Sequence, residues 1–440
     1  MTGLDGSPYQ GYLYAYPHKT AYRRLDPRPP LTDVWAGERT DALLLYLHLP
    51  FCEMRCGFCN LFTRANPPAE QVSAYLAQLR RQAAVVRAAL PGPARFAGVA
   101  VGGGTPTYLT AAELSELFGV VRELGVPAGA PLSVETSPAT ATPDRLAVLA
   151  AHGATRVSIG VQSFLDREAR AAGRPQRRSD VESALAAIRA SGIEALNLDL
   201  IYGIDGQTVD TWTHSLRAAL AWRPEELYLY PLYVRPLTGL ASRSAASGGA
   251  DPAWDAQRAA LYRQGRDTLR AAGYEQLSMR HFRRRGAPVT ASDHCCQDDG
   301  MVGLGCGARS YASSLHYSFD YAVGVRGVRA IIEDYLRRPP ADFAHAEVGF
   351  ALDGDEQRRR WLVKSLLRTE GVDAGAYAAR FANGVGDDFP RLSRLEERGW
   401  LRESSGRLAL TDDGLAHSDA IGPWLVSGPV QAAMAGFGLR

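Results

Sequence analysis

Long apolar stretches are missing from this chain. Nowhere do about eighteen apolar residues run together without a charge or a turn former, which excludes the pattern of a membrane-spanning helix. The start, MTGLDGSPYQ, has no basic segment followed by an apolar core, so no secretory signal is read there and the cytoplasm is the expected compartment. An excess of charge of one sign is missing as well. The 49 basic and 47 acidic residues leave a formal net charge of +2, which gives no polyelectrolyte signature and no reason to expect nucleic acid as a partner. The densest basic run, Arg283-Arg284-Arg285, is short enough to be a solvated turn. Cysteine is scarce too: six residues are too few for a disulfide framework in a chain of this size. Yet three of them fall within eight residues, and in a reducing compartment such crowding points to metal.

What is present is an alternation. Short apolar runs rich in β-branched and aromatic residues lie at 43–49, 98–101, 132–135, 156–162, 195–202 and 227–234. Between them, apolar residues at helical spacing predict helices near 68–90, 111–124, 143–152, 180–191 and 208–222. Thr142-Pro143-Asp144 reads as an N-cap followed by a first-turn proline. Six strand–helix units with strands buried on both faces predict a parallel sheet curled into a partial (β/α)6 barrel of TIM type, reactive at the C-terminal edge of its strands. The fold class is therefore α/β, with a C-terminal α+β module. Around the barrel (41–240) the chain divides into an N-terminal Tyr- and Pro-rich arm (1–40), an extension with a Cys- and Asp-rich segment (241–345) and a C-terminal part (346–440). The stretch 241–250 is small and flexible in composition, and 252–272 reads as a helix. Helices predicted at 355–368, 373–382 and 389–398, followed by GWLRESSGRLALT as a hairpin, suggest a winged-helix-like module.

Cys52, Cys56 and Cys59 sit on the loop after the first strand, at spacings that let three thiolates wrap one metal centre and leave a coordination position open. A structural zinc site is the alternative, its further ligand drawn from Cys295, Cys296 or Cys306. Gly102-Gly103-Gly104-Thr105 follows the second strand, where residues without a Cβ let backbone N–H groups approach a ligand. Glu135 ends the third strand as a carboxylate suited to a ribose diol or an ammonium group. Gln162, Arg174 and Asp199 occupy the ends or following loops of later strands, and Arg174 can clamp a carboxylate bidentately.

The CxxxCxxC spacing resembles the radical S-adenosylmethionine (SAM) superfamily. The string YLHLPFC at 46–52 narrows the resemblance to the branch of oxygen-independent coproporphyrinogen III oxidase and the heme chaperone HemW. It continues through GGGTPTYL (102–109), VETSP (134–138), SIGVQSF (158–164), GR (173–174) and LDLIYGIDGQT (198–208), and more loosely through 410–425. The resemblance implies a [4Fe–4S] cluster on the three cysteines and one SAM, with a second SAM possible by the same matches. It implies cofactor contacts at Tyr46, Phe58, Gly103, Gly104, Thr105, Glu135, Gln162, Arg174, Asp199 and Tyr233. It also implies reductive cleavage of SAM to a 5′-deoxyadenosyl radical, an electron donor such as flavodoxin or ferredoxin, and a small-molecule or tetrapyrrole substrate.

Three departures qualify it. Leu61 stands where the oxidase carries a further cysteine, 292–300 replaces the HNxxYW string of HemW, and Tyr233 stands where the oxidase has a small residue. The first two favour methyl or methylene transfer from a second SAM, as in related C-methyltransferases and cyclopropane-forming enzymes, whereas Tyr233 would crowd or reshape the second SAM position. Oxidative decarboxylation and heme delivery remain the alternatives, the latter with His18, His48, His281, His294 or His316 as axial ligand. In DHCCQDDGMVGLGCGARSY, Cys295, Cys296 and Asp298 are the candidate catalytic residues. Asp299, Cys306 and the glycines of 303–307 would complete a lid over the mouth; a buried loop with inert thiols is the plainer reading.

Overall fold

Strand and helix alternate from residue 43 to residue 231 as the hydrophobic pattern predicts. The computed structural model describes residues 3–92, 94–243, 251–288 and 295–439. Six parallel strands, β1 (Leu43–Leu49), β2 (Phe96–Gly103), β3 (Leu132–Thr136), β4 (Arg156–Gln162), β5 (Ala195–Tyr202) and β6 (Glu226–Pro231), pair in sequence order. In β1, Leu43, Leu45, Leu47 and Leu49 are wholly buried in the main core. The alternate residues Leu44 and Tyr46 turn to the opposite face, beside Ala15, Met301 and Tyr311, as a two-residue period requires.

Helices Ala69–Ala89, Ala111–Glu123, Pro143–Ala151, Arg178–Ala190 and Val209–Ala221 connect these strands. The second opens with a capping box: Thr110 Oγ1 accepts from Glu113 N at 3.3 Å, and Glu113 Oε2 accepts from Thr110 N at 2.8 Å, worth about 1 kcal/mol. Thr142 also sits at an N-cap, but its hydroxyl donates to the Asp144 carboxylate instead of accepting a backbone N–H.

The sheet extends further than the six expected strands. At the β1 edge it adds β7 (Met301–Leu304) in parallel, then β8 (Arg309–Tyr311), Leu315–Ser318, Val348–Ala351 and Arg23–Arg24, all antiparallel. At the β6 edge it adds His281–Arg284 and Tyr274–Gln276, also antiparallel. The result is one thirteen-stranded sheet whose two ends are not paired with each other among the described residues. The expected loop over 303–307 is thus corrected in part, because Gly303 lies within a strand. Its backbone runs so close to β8 that a Cβ would stand 2.2 Å from Arg309 O.

The C-terminal part holds helices Gly354–Leu366 and Ala374–Phe381 and a hairpin, Leu401–Ser404 with Arg407–Leu410. Ser405 and Gly406 both take positive φ, 53° and 73°, which is the two-residue turn that suits strand twist. The helix expected over 389–398 is broken into Val385–Asp388, a 3-10 turn Pro390–Leu392 and Ser393–Glu397. Pro390 explains the break, since it lacks an N–H and drives Phe389 to φ −130°, ψ 62°. A second core joins this part to the N-terminal arm, with Leu4, Leu13 and Tyr16 buried against Leu362, Tyr377, Leu395 and Trp424. Of the stretch 241–250, residues 244–250 lie outside the described residues.

Candidate active site at the C-terminal edge of the sheet

The cysteine loop is closed by its own backbone. Phe51–Cys52 pairs in parallel with Arg64–Ala65, and Asn66 N donates to Cys52 O at 2.9 Å. Its middle is fastened to other loops: Gly57 N donates to Gly173 O at 3.0 Å and Leu240 N to Gly57 O at 2.8 Å. Gly57 is required there, because a Cβ would stand 2.9 Å from Ala172 O and 3.0 Å from the Gly173 Cα. Cys52, Cys56 and Cys59 are all free and partly exposed. Burial pushes the Cys52 thiol up to about 12, the Thr105 hydroxyl at 3.6 Å counters it, and the other two cysteines add to it. Burial raises Cys56 as well, while the Arg174 charge acts to lower it.

The loops after the neighbouring strands converge on the same mouth. Gly103, at φ 116°, donates its N–H to Glu135 Oε2 at 3.1 Å. A Cβ on Gly102 would meet that carboxylate at 2.8 Å, and one on Gly104 would stand 2.9 Å from Cys52 Sγ. Glu135 is open to solvent yet surrounded by protein, so it lines an interior space, and that burial raises its pKa. Gln162 adopts φ 67° at a register shift between β4 and β5, a left-handed conformation costing on the order of 1 kcal/mol or more for a non-glycine residue. Its side chain and Arg174 both lie over Gly160, where a Cβ would meet Gln162 Nε2 at 2.6 Å and Arg174 Nη1 at 3.1 Å. Burial lifts Asp199 to about 7, against a 2.8 Å hydrogen bond from Asn197 Nδ2 and the charge of Arg156.

Other expected residues are placed differently. Tyr46 OH lies 3.1 Å from His48 Nδ1 on the inner face of β1. Phe58 packs with Ala172, Ile201 and Leu232. Tyr233 donates to Asp419 from the C-terminal part, which also pairs with the buried Arg280. Sequence reasoning missed this cluster, whose partners are 186 and 139 residues apart.

The second cysteine segment splits. Cys306 is wholly buried, its thiol 3.8 Å from the Tyr75 hydroxyl, so it does not belong to the mouth. Cys295 is raised to about 12, by burial first and Asp298 second, while Lys364 counters. Cys296 packs with the group holding Tyr46 and Tyr14. Asp298 lies 3.8 Å from Arg360 Nε, and Asp299 accepts from Cys295 N at 2.9 Å. Among the histidines, His316 is fully buried 3.1 Å from Arg360, His48 lies 3.1 Å from Phe62 O, and His281 stacks on Tyr228 with ring centroids 4.3 Å apart. His18 is paired with Thr20 at 2.8 Å. His294, with Ser292 and Asp293, lies outside the described residues.

Two family models match the chain: the Radical SAM superfamily over residues 46–219 and the HemN C-terminal domain over residues 352–417. The chain belongs to the HemN/HemW-like family of radical SAM proteins. It is 27% identical over 390 residues to the heme chaperone HemW of Bacillus subtilis, covering 86% of this chain and 98% of that one. It is 27% identical over 385 residues to the oxygen-independent coproporphyrinogen III oxidase of Bradyrhizobium diazoefficiens, 84% and 83% of the two chains. The coproporphyrinogen III oxidase (HemN) structure from Escherichia coli superposes with a TM-score of 0.79 at 23% identity over 94% of this chain and 96% of that one, which shows a shared fold. The expected methyl or methylene transfer finds no support among these relatives, which are named as a chaperone and oxidases.

This HemN/HemW-like chain has residues that fit the cluster and SAM its family implies. Among the described residues no three Cys, His, Asp or Glu side chains gather as ligands of a single ion. A cubane differs, because each thiolate binds its own iron and the three stand apart around it. Thiols raised by burial and by one another gain most from a metal that takes their protons' place. The bare backbone at Gly102–Gly104 leaves room beside Cys52, and Glu135 and Arg174 are side chains of opposite charge, the kinds that the two ends of an amino acid would need. Among the described residues no helix is long and apolar enough to cross a membrane.

Proposed function

We propose that this chain is a radical SAM enzyme acting on an anionic organic substrate, of which a tetrapyrrole is the class suggested by its relatives' names. One observation carries the reading: the Gly57–Gly173 hydrogen bond joins the cysteine loop to the loop of Arg174, so three thiols and a guanidinium share one mouth. Cys52, Cys56 and Cys59 would hold a [4Fe–4S] cluster. When bound, cluster and SAM supply an electron and a 5′-deoxyadenosyl radical.

The chain's own residues do the rest. Arg174 orients the carboxylate of the methionine end, Glu135 and Asp199 accept from the amine or ribose hydroxyls, and Gly103 and Gly104 give the cofactor room. Cys296, packed in one group with Tyr46, and Cys295, near Asp298 and Lys364, would be the thiols that touch a substrate. Tyr233 is engaged by Asp419, which supports a single SAM over two. The electron comes from an external donor such as a flavodoxin or ferredoxin.

The test is anaerobic reconstitution, reduction with dithionite and detection of 5′-deoxyadenosine by mass spectrometry. Four irons per chain and deoxyadenosine formation support the reading. Stoichiometric heme binding with a Soret band, transfer to an acceptor and no deoxyadenosine would replace it with heme delivery.

A further inference from the structure

Only two of the 49 basic residues are lysines, Lys19 and Lys364, and both lie beside one tyrosine of the N-terminal arm. Lys364 Nζ donates to Tyr14 O at 3.4 Å. Lys19 acts on the Tyr14 hydroxyl, its ammonium 3.8 Å from the Tyr321 ring centroid. Arg309, on β8, donates Nη1 to that hydroxyl at 2.8 Å. Burial alone would raise Tyr14, but the Arg309 and Lys19 charges outweigh it and bring the phenol down to about 8. Among the described residues neither Lys19 nor Arg309 has a carboxylate within salt-bridge distance, and Lys364 has Asp298 only as a more distant counter-charge.

The cations stand next to the reactive centre. Lys19 feels the charge of Cys59, and Tyr321, over whose ring it lies, donates to Asn60 O at 2.8 Å. Arg309 acts on Tyr46, His48 and Cys296. Positive groups this enclosed repel one another and are held at a cost unless an anion joins them.

We propose that Lys19, Arg309 and Lys364 form an anion-binding subsite around Tyr14, which docks a carboxylate or phosphate group of the substrate beside the cysteine loop. The subsite deepens the radical-enzyme reading and rests on it for its place in the reaction. Lysine suits the task, since a compact charge on a flexible stem can follow a substrate, whereas arginine serves the rest of the chain as a fixed fork. The arm thereby becomes a determinant of which molecule is attacked.

These two lysines are the chain's entire set of side-chain amines, so an amine-acetylating reagent reads the subsite directly, peptide by peptide, in a mass spectrometer. The full chain is reconstituted anaerobically and left unreduced, with coproporphyrin III as the carboxylate probe and inorganic pyrophosphate as the phosphate probe. One of the two should slow acetylation of both lysines at least about tenfold, the scale of one charge-assisted contact. The tetramethyl ester of coproporphyrin III should give no protection. Arg309→Met should abolish protection and Arg309→Lys should keep it, which separates a lost charge from a lost fold. Unchanged acetylation with both probes would overturn the subsite and leave the cations as mere counter-charge to the cluster. No electron is supplied, so a chain that protects its lysines but forms no deoxyadenosine loses the proposed reaction and keeps the subsite.

Discussion

The chain carries two groups of three cysteines, and they differ in what holds them. Cys52, Cys56 and Cys59 ride a loop pinned at both ends and in the middle by backbone hydrogen bonds, and all three are partly exposed. Cys295, Cys296 and Cys306 are divided by β7, which carries Cys306 into the core against Tyr75 and leaves the other two near the arm. Cysteine density is therefore a poor guide to a metal centre. What matters is whether one short loop presents the thiols without a strand between them.

The comparison breaks outright if iron follows the wrong group. Alanine at Cys52, Cys56 or Cys59 should remove the cluster, while alanine at Cys295, Cys296 or Cys306 should keep four irons per chain. Anaerobic iron counts with Mössbauer spectra decide it, and full retention in the first set would sink the assignment. Gly57→Ala sharpens the point without touching a thiol. Its Cβ would force apart the cysteine and Arg174 loops, so cluster content should fall below one per chain while the melting temperature changes little.

Glu135→Ala and Arg174→Ala should leave iron content intact and weaken SAM binding by roughly ten- to a hundredfold, the equivalent of about 1.5–3 kcal/mol for a lost charge-assisted contact. Equilibrium dialysis against the reconstituted protein measures it. Unchanged affinity would separate the strand-end residues from the cysteine loop.

The smallest effect concerns pH. Native Asp199 keeps its proton to about pH 7, whereas an unfolded aspartate releases it near pH 4. The native state thus binds more protons between roughly pH 4 and 7, and Asp199 costs stability increasingly across that window, to a constant level above it. Asp199→Asn, a mimic of the protonated side chain, should raise stability by about 1–2 kcal/mol at pH 8 and by almost nothing at pH 4. Urea melts at the two pH values measure the difference, and an equal gain at both would dismiss the ionisation.

The βα half was largely legible because its information is local. A two-residue period fixes which side of β1 holds Tyr46, and motifs that end strands place Glu135 and Gln162 on one edge, whereas Asp199, expected at a strand end, sits in the middle of β5. Residues in the second half depend on distant partners. Nothing near Arg309 announces Tyr14, 295 residues away, and nothing near Tyr233 announces Asp419. The glycines of 303–307 suggest a loop packed close over the mouth; close approach is what they serve, but Gly303 serves it within a strand, against Arg309. Cβ atoms on Gly305 and Gly307 would meet the Tyr75 hydroxyl at 2.4 Å and the His48 ring at 2.7 Å. The helix at 389–398 failed on Pro390, a residue visible in the sequence whose effect on its neighbour decides the break.

Gly11 N donates to Asp419 O at 3.0 Å, and the Asp419 carboxylate takes up Tyr233 and Arg280. Two segments some four hundred residues apart in sequence are therefore bonded to each other beside Tyr233 and Arg280. The arm also reaches the sheet itself, where Arg23–Arg24 pairs with Val348–Ala351 and Arg309 donates to the Tyr14 hydroxyl. The contacts around Tyr233 therefore come from two distant parts of the chain, and neither part supplies them alone.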